Sequence, residues 1–441
     1  MASSHGPERT LIKGAHLIDP SQGIDDRRDI LIERGRVTQM DRKLDRTSAE
    51  RVVEAKGLIA APSFIDLHTH LREPGGEQSE TIATGTQAAA RGGYGRIYCM
   101  PNTRPVCDST VAVKQIIDRS REACGVRVHP VASVTRGMSG TELTDFGALL
   151  AAGAGAFSDD GLPVANAELM MLALECTRDI GAVVFDHCED LSLTGEGVMH
   201  EGTVAFRLGL RGIPRASEST VVARDCALAL ATGGRLHVCH LSNTESVEAI
   251  RHFKARHAPV TAEVSPHHLT LTDARVGPYD THAKMKPPLC EDADREALIA
   301  ALEDGTIDCI ATDHAPHAPA LKADTFDQAP FGIIGMETAF AVLHTAFVRT
   351  GRWTLAFLIE KMALAPARVM GRSDWGTLRD GASADLTLLD VETSYELTPS
   401  RLGSRSRNCP WIGERFVGRP ALTMVGGRIA WADGDRFGDL A

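Results

Sequence analysis

The sequence lacks any run of 18 apolar residues and has no apolar segment near its start. We therefore expect neither a membrane span nor a signal peptide, and a cytoplasmic location. The ten cysteines include no Cys-x-x-Cys pair, which argues against a disulfide framework or a cysteine zinc site. Basic residues are also fewer than acidic ones: the sequence has 47 Lys and Arg and 58 Asp and Glu, which give a net charge of −11. An acidic chain does not suit nucleic acid, so any bound anion must be held by a local cluster.

Two sequence patterns divide the chain. Short β-like runs separated by turns occupy both ends, at residues 10–18, 29–37, 51–55, 384–390 and 421–431. Between them, eight short apolar runs alternate with helix-like segments, at residues 57–68, 96–100, 127–134, 154–158, 182–186, 235–239, 260–264 and 307–312. This alternation favours the α/β class and a (β/α)₈ TIM-like barrel. We predict a barrel domain over residues 62–372 and a small discontinuous β-sandwich domain formed by residues 1–61 and 373–441.

The most informative stretch is residues 65–75, where an apolar run ends at a Pro-Gly pair. Side chains alternate along a strand, so Asp66, His68, His70 and Arg72 should point the same way. Two imidazoles between a carboxylate and a guanidinium make an awkward core face but a good metal site beside an anion clamp. An isolated His-x-His is more often a pair of ordinary buried histidines, so this interpretation depends on the other strand ends.

Function in a TIM barrel gathers at the carboxyl ends of the strands. Metal-ligating residue types follow five of the eight runs: His68 and His70, Asp159 and Asp160, His187 and Glu189, His240, and Asp313 with His314 and His317. Four histidines and two or three carboxylates favour Zn²⁺, Mn²⁺ or Co²⁺. The number of ligands indicates two ions bridged by a carboxylate and a hydroxide, a centre suited to hydrolysis of an unreactive amide. Asp313 is our candidate for moving the proton to the leaving nitrogen.

Over most of its length the chain resembles the class I dihydroorotases of the amidohydrolase superfamily. The resemblance is carried by residues 66–75, 100–105, 157–161, 187–190, 265–269, 312–317 and 330–338. The Arg-Glu-Pro-Gly and Met-Pro-Asn-Thr pieces are the most specific, because related hydantoinases and allantoinases share the His-x-His but differ there. The resemblance implies reversible cyclisation of N-carbamoyl-L-aspartate to L-dihydroorotate in de novo pyrimidine biosynthesis.

The resemblance also implies a ligand set for two zinc ions in each subunit. His68, His70 and Asp313 would hold one ion, His187 and His240 the second, and Asp160 with a hydroxide would bridge them. Many relatives bridge with a carboxylated lysine, but the fourth run contains no lysine, which requires an aspartate. Asp159 is the second choice, because its side chain should face away.

For the substrate, the resemblance implies a carboxylate held by Arg72, Asn102 and His317, since a guanidinium offers a bidentate fork. Backbone groups of Phe331 and Gly332 would hold the pyrimidine ring. His70 is expected to contact the substrate as well as a metal.

The chain departs from the family pattern after the seventh run. Lys286 stands where an asparagine is usual, and Cys290 where an arginine is usual. Lys286 is a substrate-binding candidate that could add positive charge for the acid or block the ring, and both alternatives stay open. We expect His267 and His268 to support the site rather than ligate.

Two rival functions are weighed against this one. A hydantoinase or allantoinase would not need the anion clamp, and an inactive scaffold for aspartate transcarbamoylase would not need every ligand. We expect a homodimer that could associate with aspartate transcarbamoylase, with no nucleic acid or membrane partner. Residues 316–330, rich in Ala, Pro and polar residues, are a candidate mobile loop over the site.

Overall fold

The computed structural model describes residues 8–440; residues 1–7, where no apolar signal segment was found in the sequence, lie outside them. Its strands in chain order are β1 (Arg9–Asp19), β2 (Ile24–Glu33), β3 (Arg36–Asp41), β4 (Arg51–Glu54), β5 (Ile59–Pro62), β6 (Phe64–Thr69), β7 (Tyr94–Cys99), β8 (Arg127–Ala132), β9 (Ala156–Phe157), β10 (Val183–Asp186), β11 (Met199–His200), β12 (Gly212–Ile213), β13 (Arg235–Val238), β14 (Val260–Val264), β15 (Cys309–Ile310), β16 (Leu386–Glu396), β17 (Arg415–Val425) and β18 (Arg428–Ala432).

The α-helices are α1 (Ile82–Arg91), α2 (Thr110–Arg121), α3 (Phe146–Ala152), α4 (Ala167–Asp179), α5 (Leu191–Thr194), α6 (Thr203–Leu208), α7 (Ala216–Thr232), α8 (Thr244–Ala255), α9 (Pro266–Thr270), α10 (Asp292–Asp304), α11 (Pro319–Lys322), α12 (Ala339–Leu343), α13 (Leu355–Ile359), α14 (Ala365–Val369) and α15 (Gly434–Phe437). Ser109 and Asn243 begin α2 and α8 by accepting backbone N–H groups, and Gly153 and Gly233 end α3 and α7 in the left-handed conformation. Among the described residues no helix is both long and apolar enough to cross a bilayer.

Eight parallel strands form the barrel, in the order β6-β7-β8-β9-β10-β13-β14-β15. The ring closes between its first and last strands, where the His70 N–H donates to the His314 carbonyl at 2.9 Å. Below it, the Asp66 carboxylate accepts hydrogen bonds from the Thr312 N–H and hydroxyl at 2.9 and 2.6 Å. Every predicted apolar run contains a barrel strand, so the (β/α)₈ prediction is confirmed.

A second sheet joins both ends of the chain, in the order β18-β17-β16-β5-β1-β2-β3 with β4 paired to β1. The sheet folds over an apolar core shared by both ends, which includes Ile12, Ile30, Leu386 and Leu422. Its outer hairpins touch, because a Cβ on Gly35 would lie 2.6 Å from the Gly426 carbonyl oxygen. The predicted small β domain formed by both termini is confirmed, while its boundaries at 61/62 and 372/373 stay a prediction.

Three predicted runs are divided in the structure. Residues 29–37 and 421–431 are each parts of a hairpin, because consecutive residues at their centres have positive φ, namely Arg34 and Gly35, and Gly426 and Gly427. Such pairs form the tight turns that join antiparallel strands. Residues 57–68 are also divided, since β5 belongs to the terminal sheet and β6 to the barrel.

The inside of the barrel is filled by an apolar cluster that includes Leu67, Tyr98, Val131 and Phe185. Side chains from strands all around a ring can share one cluster only through its interior. This core leaves the carboxyl ends of the strands to carry polar side chains.

Candidate metal centre and substrate cavity

The carboxyl ends of five barrel strands bring the predicted ligands together. The side chains are His68 and His70 from β6 and its end, Asp160 after β9, His187 after β10, His240 after β13, and Asp313 after β15. All six are buried. They form one cluster, the ligand cluster, whose members approach one another within hydrogen-bonding or ion-pairing distance.

The first half of the ligand cluster contains His68, His70 and Asp313. Oδ1 of Asp313 lies 3.2 Å from Nε2 of His70 and 3.6 Å from Nε2 of His68. Asp160 approaches both imidazoles, with Oδ1 3.2 Å from Nε2 of His68 and Oδ2 3.5 Å from Nε2 of His70.

The second half contains His187 and His240, whose Nδ1 and Nε2 atoms are 3.0 Å apart. Oδ1 of Asp160 lies 3.6 Å from Nδ1 of His187 and 3.8 Å from Nε2 of His240. Asp160 thus stands between the two halves, where a bridging ligand would have to be.

The donor set fits divalent metal ions. Nε2 of His68 and Oδ1 of Asp160 are buried and form no hydrogen bond. Leaving such atoms unpaired costs about 1–3 kcal/mol each, so a buried site of this kind calls for another partner. Imidazole nitrogens and carboxylate oxygens are donors that Zn²⁺ and similar ions accept.

Backbone strain is concentrated at this site. His240, Asp313 and Arg72 have φ values of +36°, +45° and +59°, in the left-handed region that residues with a Cβ rarely adopt. Each such residue costs about 1–3 kcal/mol and persists only where its surroundings fix it, which is typical of ligand-binding sites.

Glu263 of β14 positions the first imidazole from outside the ligand cluster. Its Oε1 lies 3.2 Å from Nδ1 of His68, and its Oε2 lies 3.0 Å from Nε2 of His237. Burial would raise the pKa of Glu263, but the hydrogen bond from His237 lowers it to about 2. A carboxylate behind a ligating imidazole fixes its orientation and tautomer. Sequence reasoning missed Glu263, although an acidic residue inside an apolar strand was a usable signal.

Asp159 faces away from the ligand cluster, as expected for the second choice of bridge. Its Oδ1 accepts hydrogen bonds from the backbone N–H groups of Val134 and Thr135 at 2.8 and 3.1 Å, and its Oδ2 accepts one from the Thr135 hydroxyl. Burial raises the pKa of Asp159 to about 6.

A cavity of about 180 Å³ opens on the ligand cluster. The residues predicted to bind substrate all line it: His70, Arg72, Asn102, Lys286, His317, Phe331 and Gly332. Asn102 is tied to the cluster, because its Oδ1 lies 3.0 Å from Nδ1 of His70 and its Nδ2 donates to the Asp160 carbonyl at 3.3 Å.

Arg72 supplies the positive charge of the cavity wall. Its Nε donates to the Pro316 carbonyl at 3.1 Å, and its Nη2 lies 3.5 Å from Nε2 of His317. Nε2 of His317 donates to the Phe331 carbonyl at 2.7 Å, so it cannot accept from Arg72. Burial and the Arg72 charge lower the pKa of His317 to about 3. His317 is therefore neutral near pH 7, and the terminal N–H groups of Arg72 remain available to an anion.

Lys286 forms an ion pair in the same wall. Its Nζ lies 2.8 Å from Oε1 of Glu189, which also accepts a hydrogen bond from the Thr194 hydroxyl at 2.7 Å. Oε2 of Glu189 lies 3.2 Å from Nε2 of His187. Burial would raise the pKa of Glu189, but the His187 hydrogen bond lowers it to about 2. Sequence reasoning weighed only substrate contacts for Lys286 and missed this carboxylate.

The His267 and His268 side chains are both buried. Nε2 of His268 donates to the Pro287 carbonyl at 3.0 Å, whereas neither ring nitrogen of His267 has a hydrogen-bond partner. The supporting role of both histidines stays a prediction.

The predicted mobile loop is held by buried polar contacts. Nζ of Lys322 donates to the carbonyls of Pro330 and Gly332 at 2.9 and 3.1 Å. The Asn408 amide donates to the carbonyls of Ala315 and Gly332 at 2.8 and 3.0 Å. Movement of this loop stays a prediction.

Comparison with known proteins adds to this geometry. The family model described as Dihydro-orotase-like matches residues 57–246. The chain is 47% identical to a dihydroorotase of Pelotomaculum thermopropionicum over 429 residues, which make up 96% of this chain and 99% of that protein. It is 48% identical to a dihydroorotase of Anaeromyxobacter dehalogenans over 421 residues, with coverage of 95% and 97%.

Solved structures with the same fold have lower identity. The L-hydantoinase (dihydropyrimidinase) of Arthrobacter aurescens has a TM-score of 0.85 and 24% identity, with 95% of each chain covered. The dihydropyrimidinase of Brevibacillus agri has a TM-score of 0.80 and 22% identity, with 96% of this chain and 94% of that chain covered. At these identities the likeness concerns the fold alone.

Proposed function

The chain belongs to the dihydroorotase family, and from this premise we propose that it catalyses the reversible cyclisation of N-carbamoyl-L-aspartate to L-dihydroorotate in de novo pyrimidine biosynthesis. The observation that carries the proposal is the meeting of the ligand cluster and the Arg72 guanidinium in one cavity. A cyclic amide that bears a carboxylate needs both, because metal ions held by the ligand cluster would activate water and the guanidinium would hold the acid.

We propose two zinc ions per subunit as the cofactor. His68, His70 and Asp313 would hold one ion, and His187 and His240 the other, with Asp160 in contact with both halves. When bound, such ions lower the pKa of water and polarise a carbonyl.

Asp313 is the proposed proton carrier. Burial would raise its pKa, but the charge on His68 and the hydrogen bond from His70 hold that pKa below its usual value. Asp313 is thus ionised near pH 7 and can accept a proton in the hydrolytic direction. Passing the proton to the ring nitrogen as the amide bond breaks completes the step, and the reverse transfer serves cyclisation.

The remaining cavity residues would orient the ring. We propose that the N–H groups of Arg72 and the side-chain amide of Asn102 hold the substrate carboxylate, and that His317 joins them when its Nε2–H leaves the Phe331 carbonyl. Backbone groups of Phe331 and Gly332 line the same cavity beside His317 and would hold the pyrimidine amides. This arrangement presents the scissile amide to the ligand cluster.

The testing experiment is turnover of L-dihydroorotate by the purified protein with added zinc and after chelation. We expect activity that disappears with the metal and returns when zinc is restored. 5,6-Dihydrouracil, which lacks the carboxylate, is the matched comparison substrate. Turnover of dihydrouracil in preference to dihydroorotate would instead indicate a hydantoinase-type enzyme, and inactivity with zinc bound would support the scaffold interpretation.

We also propose a cytoplasmic homodimer that could associate with aspartate transcarbamoylase. Membership of the family supports an enzyme that acts on a small molecule, but it gives no information about the oligomeric state. Light scattering after size exclusion, with and without added aspartate transcarbamoylase, tests the homodimer and the association. A monomer in every condition would contradict both.

A further inference from the structure

A second group of metal-ligating side chains lies beside the ligand cluster and shares no residue with it. His200 on β11, Cys290 before α10 and Asp294 in the first turn of α10 each offer one donor atom, and these atoms lie within 4.8 Å of one another. The side chains are deeply buried, with exposed fractions of 1%, 6% and 2%. We call these three residues the N/S/O cluster.

His200 points to an additional partner at this place. Both of its ring nitrogens are buried and neither forms a hydrogen bond. At least one of them carries a lone pair, and a buried unpaired acceptor is costly. His200 and Cys290 line a void of about 20 Å³, which is room for roughly one water molecule or one ion.

Asp294 is held in a fixed orientation by four hydrogen bonds. Arg215 donates to its Oδ2 through Nε at 3.0 Å and Nη2 at 2.7 Å. Thr244 donates to its Oδ1 through the backbone N–H at 3.1 Å and the hydroxyl at 2.9 Å. These four donors occupy the lone pairs of both oxygens, so an ion bound by Asp294 would displace one of them, and the remaining hydrogen bonds would keep the carboxylate in place.

We propose that the N/S/O cluster is an additional site for Zn²⁺ or a similar ion, bound by an imidazole nitrogen of His200, the thiolate of Cys290 and a carboxylate oxygen of Asp294. A water molecule completes the four positions that zinc prefers. The ion would tie β11 to the start of α10, two elements that flank the wall containing Lys286. The site is independent of the proposed catalytic function, because none of its ligands lines the substrate cavity.

Binding would release a proton from Cys290. Burial and the nearby Glu218 and Asp294 carboxylates raise the pKa of this thiol well above its usual value, so it is protonated before an ion enters. A bound ion favours the thiolate, and the proton leaves to solvent.

Cobalt(II) substitution tests the site directly. A thiolate bound to Co²⁺ gives a charge-transfer absorption band in the near ultraviolet, whereas imidazole and carboxylate ligands do not. The full-length protein is loaded with Co²⁺ as wild type, Cys290→Ser and His200→Asn, and metal content is measured on the same samples. Cys239→Ser is the matched control, because the Cys239 thiol also lies within 4.8 Å of possible ligand atoms, those of His68 and Glu263.

We expect the band in the wild type and in Cys239→Ser, and its loss in both Cys290→Ser and His200→Asn. Metal content should fall by about one ion per chain in these two variants, while dihydroorotate turnover and the circular dichroism spectrum are retained. A band that survives in Cys290→Ser, or that is lost only in Cys239→Ser, would overturn the proposal. Absence of any band in the folded, cobalt-loaded wild type would also overturn it and leave an ordered water as the occupant.

Discussion

Nζ of Lys286 and Oε1 of Glu189 lie 2.8 Å apart, and the other oxygen of the same carboxylate lies 3.2 Å from Nε2 of His187. One carboxylate therefore joins the wall of the substrate cavity to the ligand cluster. The ammonium group of Lys286 is not free in the cavity, because it is already paired with the Glu189 carboxylate.

Removing Lys286 should destabilise the protein through Glu189. Lys286→Met leaves the buried carboxylate without its cation, and we expect the free energy of unfolding to fall by about 1–3 kcal/mol. The Lys286→Met/Glu189→Gln double variant should lose less than the sum of the single losses, because the partners interact directly. Urea unfolding of the four proteins measures this coupling. Arg251→Met, in the exposed Arg251–Asp304 pair, is the control and should change stability by less than about 0.5 kcal/mol. Strict additivity would contradict the interaction.

Arg72→Lys should weaken recognition of the substrate carboxylate while the metal centre stays intact. Lysine keeps the charge but loses the two-pronged fork and the bond from Nε to Pro316. A hydrogen bond to a charged group is worth about 1.5–3 kcal/mol, so we expect kcat/KM for L-dihydroorotate to fall roughly 10- to 100-fold. Steady-state kinetics and metal content check this, with Arg119→Lys on α2 as the exposed control. Unchanged kinetics in Arg72→Lys would rule out the clamp.

The neighbouring aspartates provide a matched pair for metal binding. Asp160→Asn removes the charge that contacts both halves of the ligand cluster, and we expect the purified variant to lose most of its metal and its activity. Asp159→Asn changes a carboxylate that binds only Val134 and Thr135, so its metal content should be retained. Elemental analysis of both purified variants measures this difference in metal content. Retention of metal in Asp160→Asn together with loss in Asp159→Asn would reverse the assignment.

Glu218 should make stability depend on pH. Its carboxylate accepts hydrogen bonds from the Ser242 N–H and hydroxyl, and burial raises its pKa from 4.5 to about 7. Between these values the folded state binds more protons than the unfolded state, so its stability falls as pH rises from about 4.5 to about 7. The slope from one group is at most about 1.4 kcal/mol per pH unit.

Glu218→Gln removes this slope, so the variant should gain stability relative to the wild type as pH increases through that window. Urea unfolding at pH 5 and pH 7.5 measures the difference. Glu248→Gln, an exposed change on α8, should give a difference that does not vary with pH. An equal, pH-independent effect in both variants would refute the role of Glu218.

The barrel was predictable because each strand is a short apolar run and five of the eight runs are followed by residue types unusual for a core. The rule that function gathers at strand ends pointed to a wider set, which also held Asp159, Glu189, His314 and His317, and the family resemblance selected the six residues of the ligand cluster from it. The hairpins at Gly35 and Gly426 were harder to predict, since apolar residues flank both turns and the pattern continues across them. Closure of the ring by Asp66 and Thr312 was also missed, because the two residues are 246 positions apart and local pattern carries no information about such a pair.

The supporting carboxylates were missed for the same reason. Glu263 is 195 positions from His68, and nothing near either residue identifies the other. Glu189 was visible within a motif, but its contact with Lys286 depends on how two loops meet. Sequence indicated which side chains could bind a metal, and the structure added what holds those side chains in place.

The closure of the barrel between its first and last strands has a consequence for how the chain folds as the ribosome makes it. His70 donates its N–H to His314, and its imidazole approaches Asp313, which is 243 positions away. A growing polypeptide on the ribosome can therefore present His68 and His70 long before their third partner has been made. The half-site completed by Asp313 can form only after the eighth strand has joined the first, so a truncated translation product would lack it. The β5–β16 pairing places the same kind of requirement on the terminal sheet, whose two parts can join only after Leu386 to Leu389 have been synthesised.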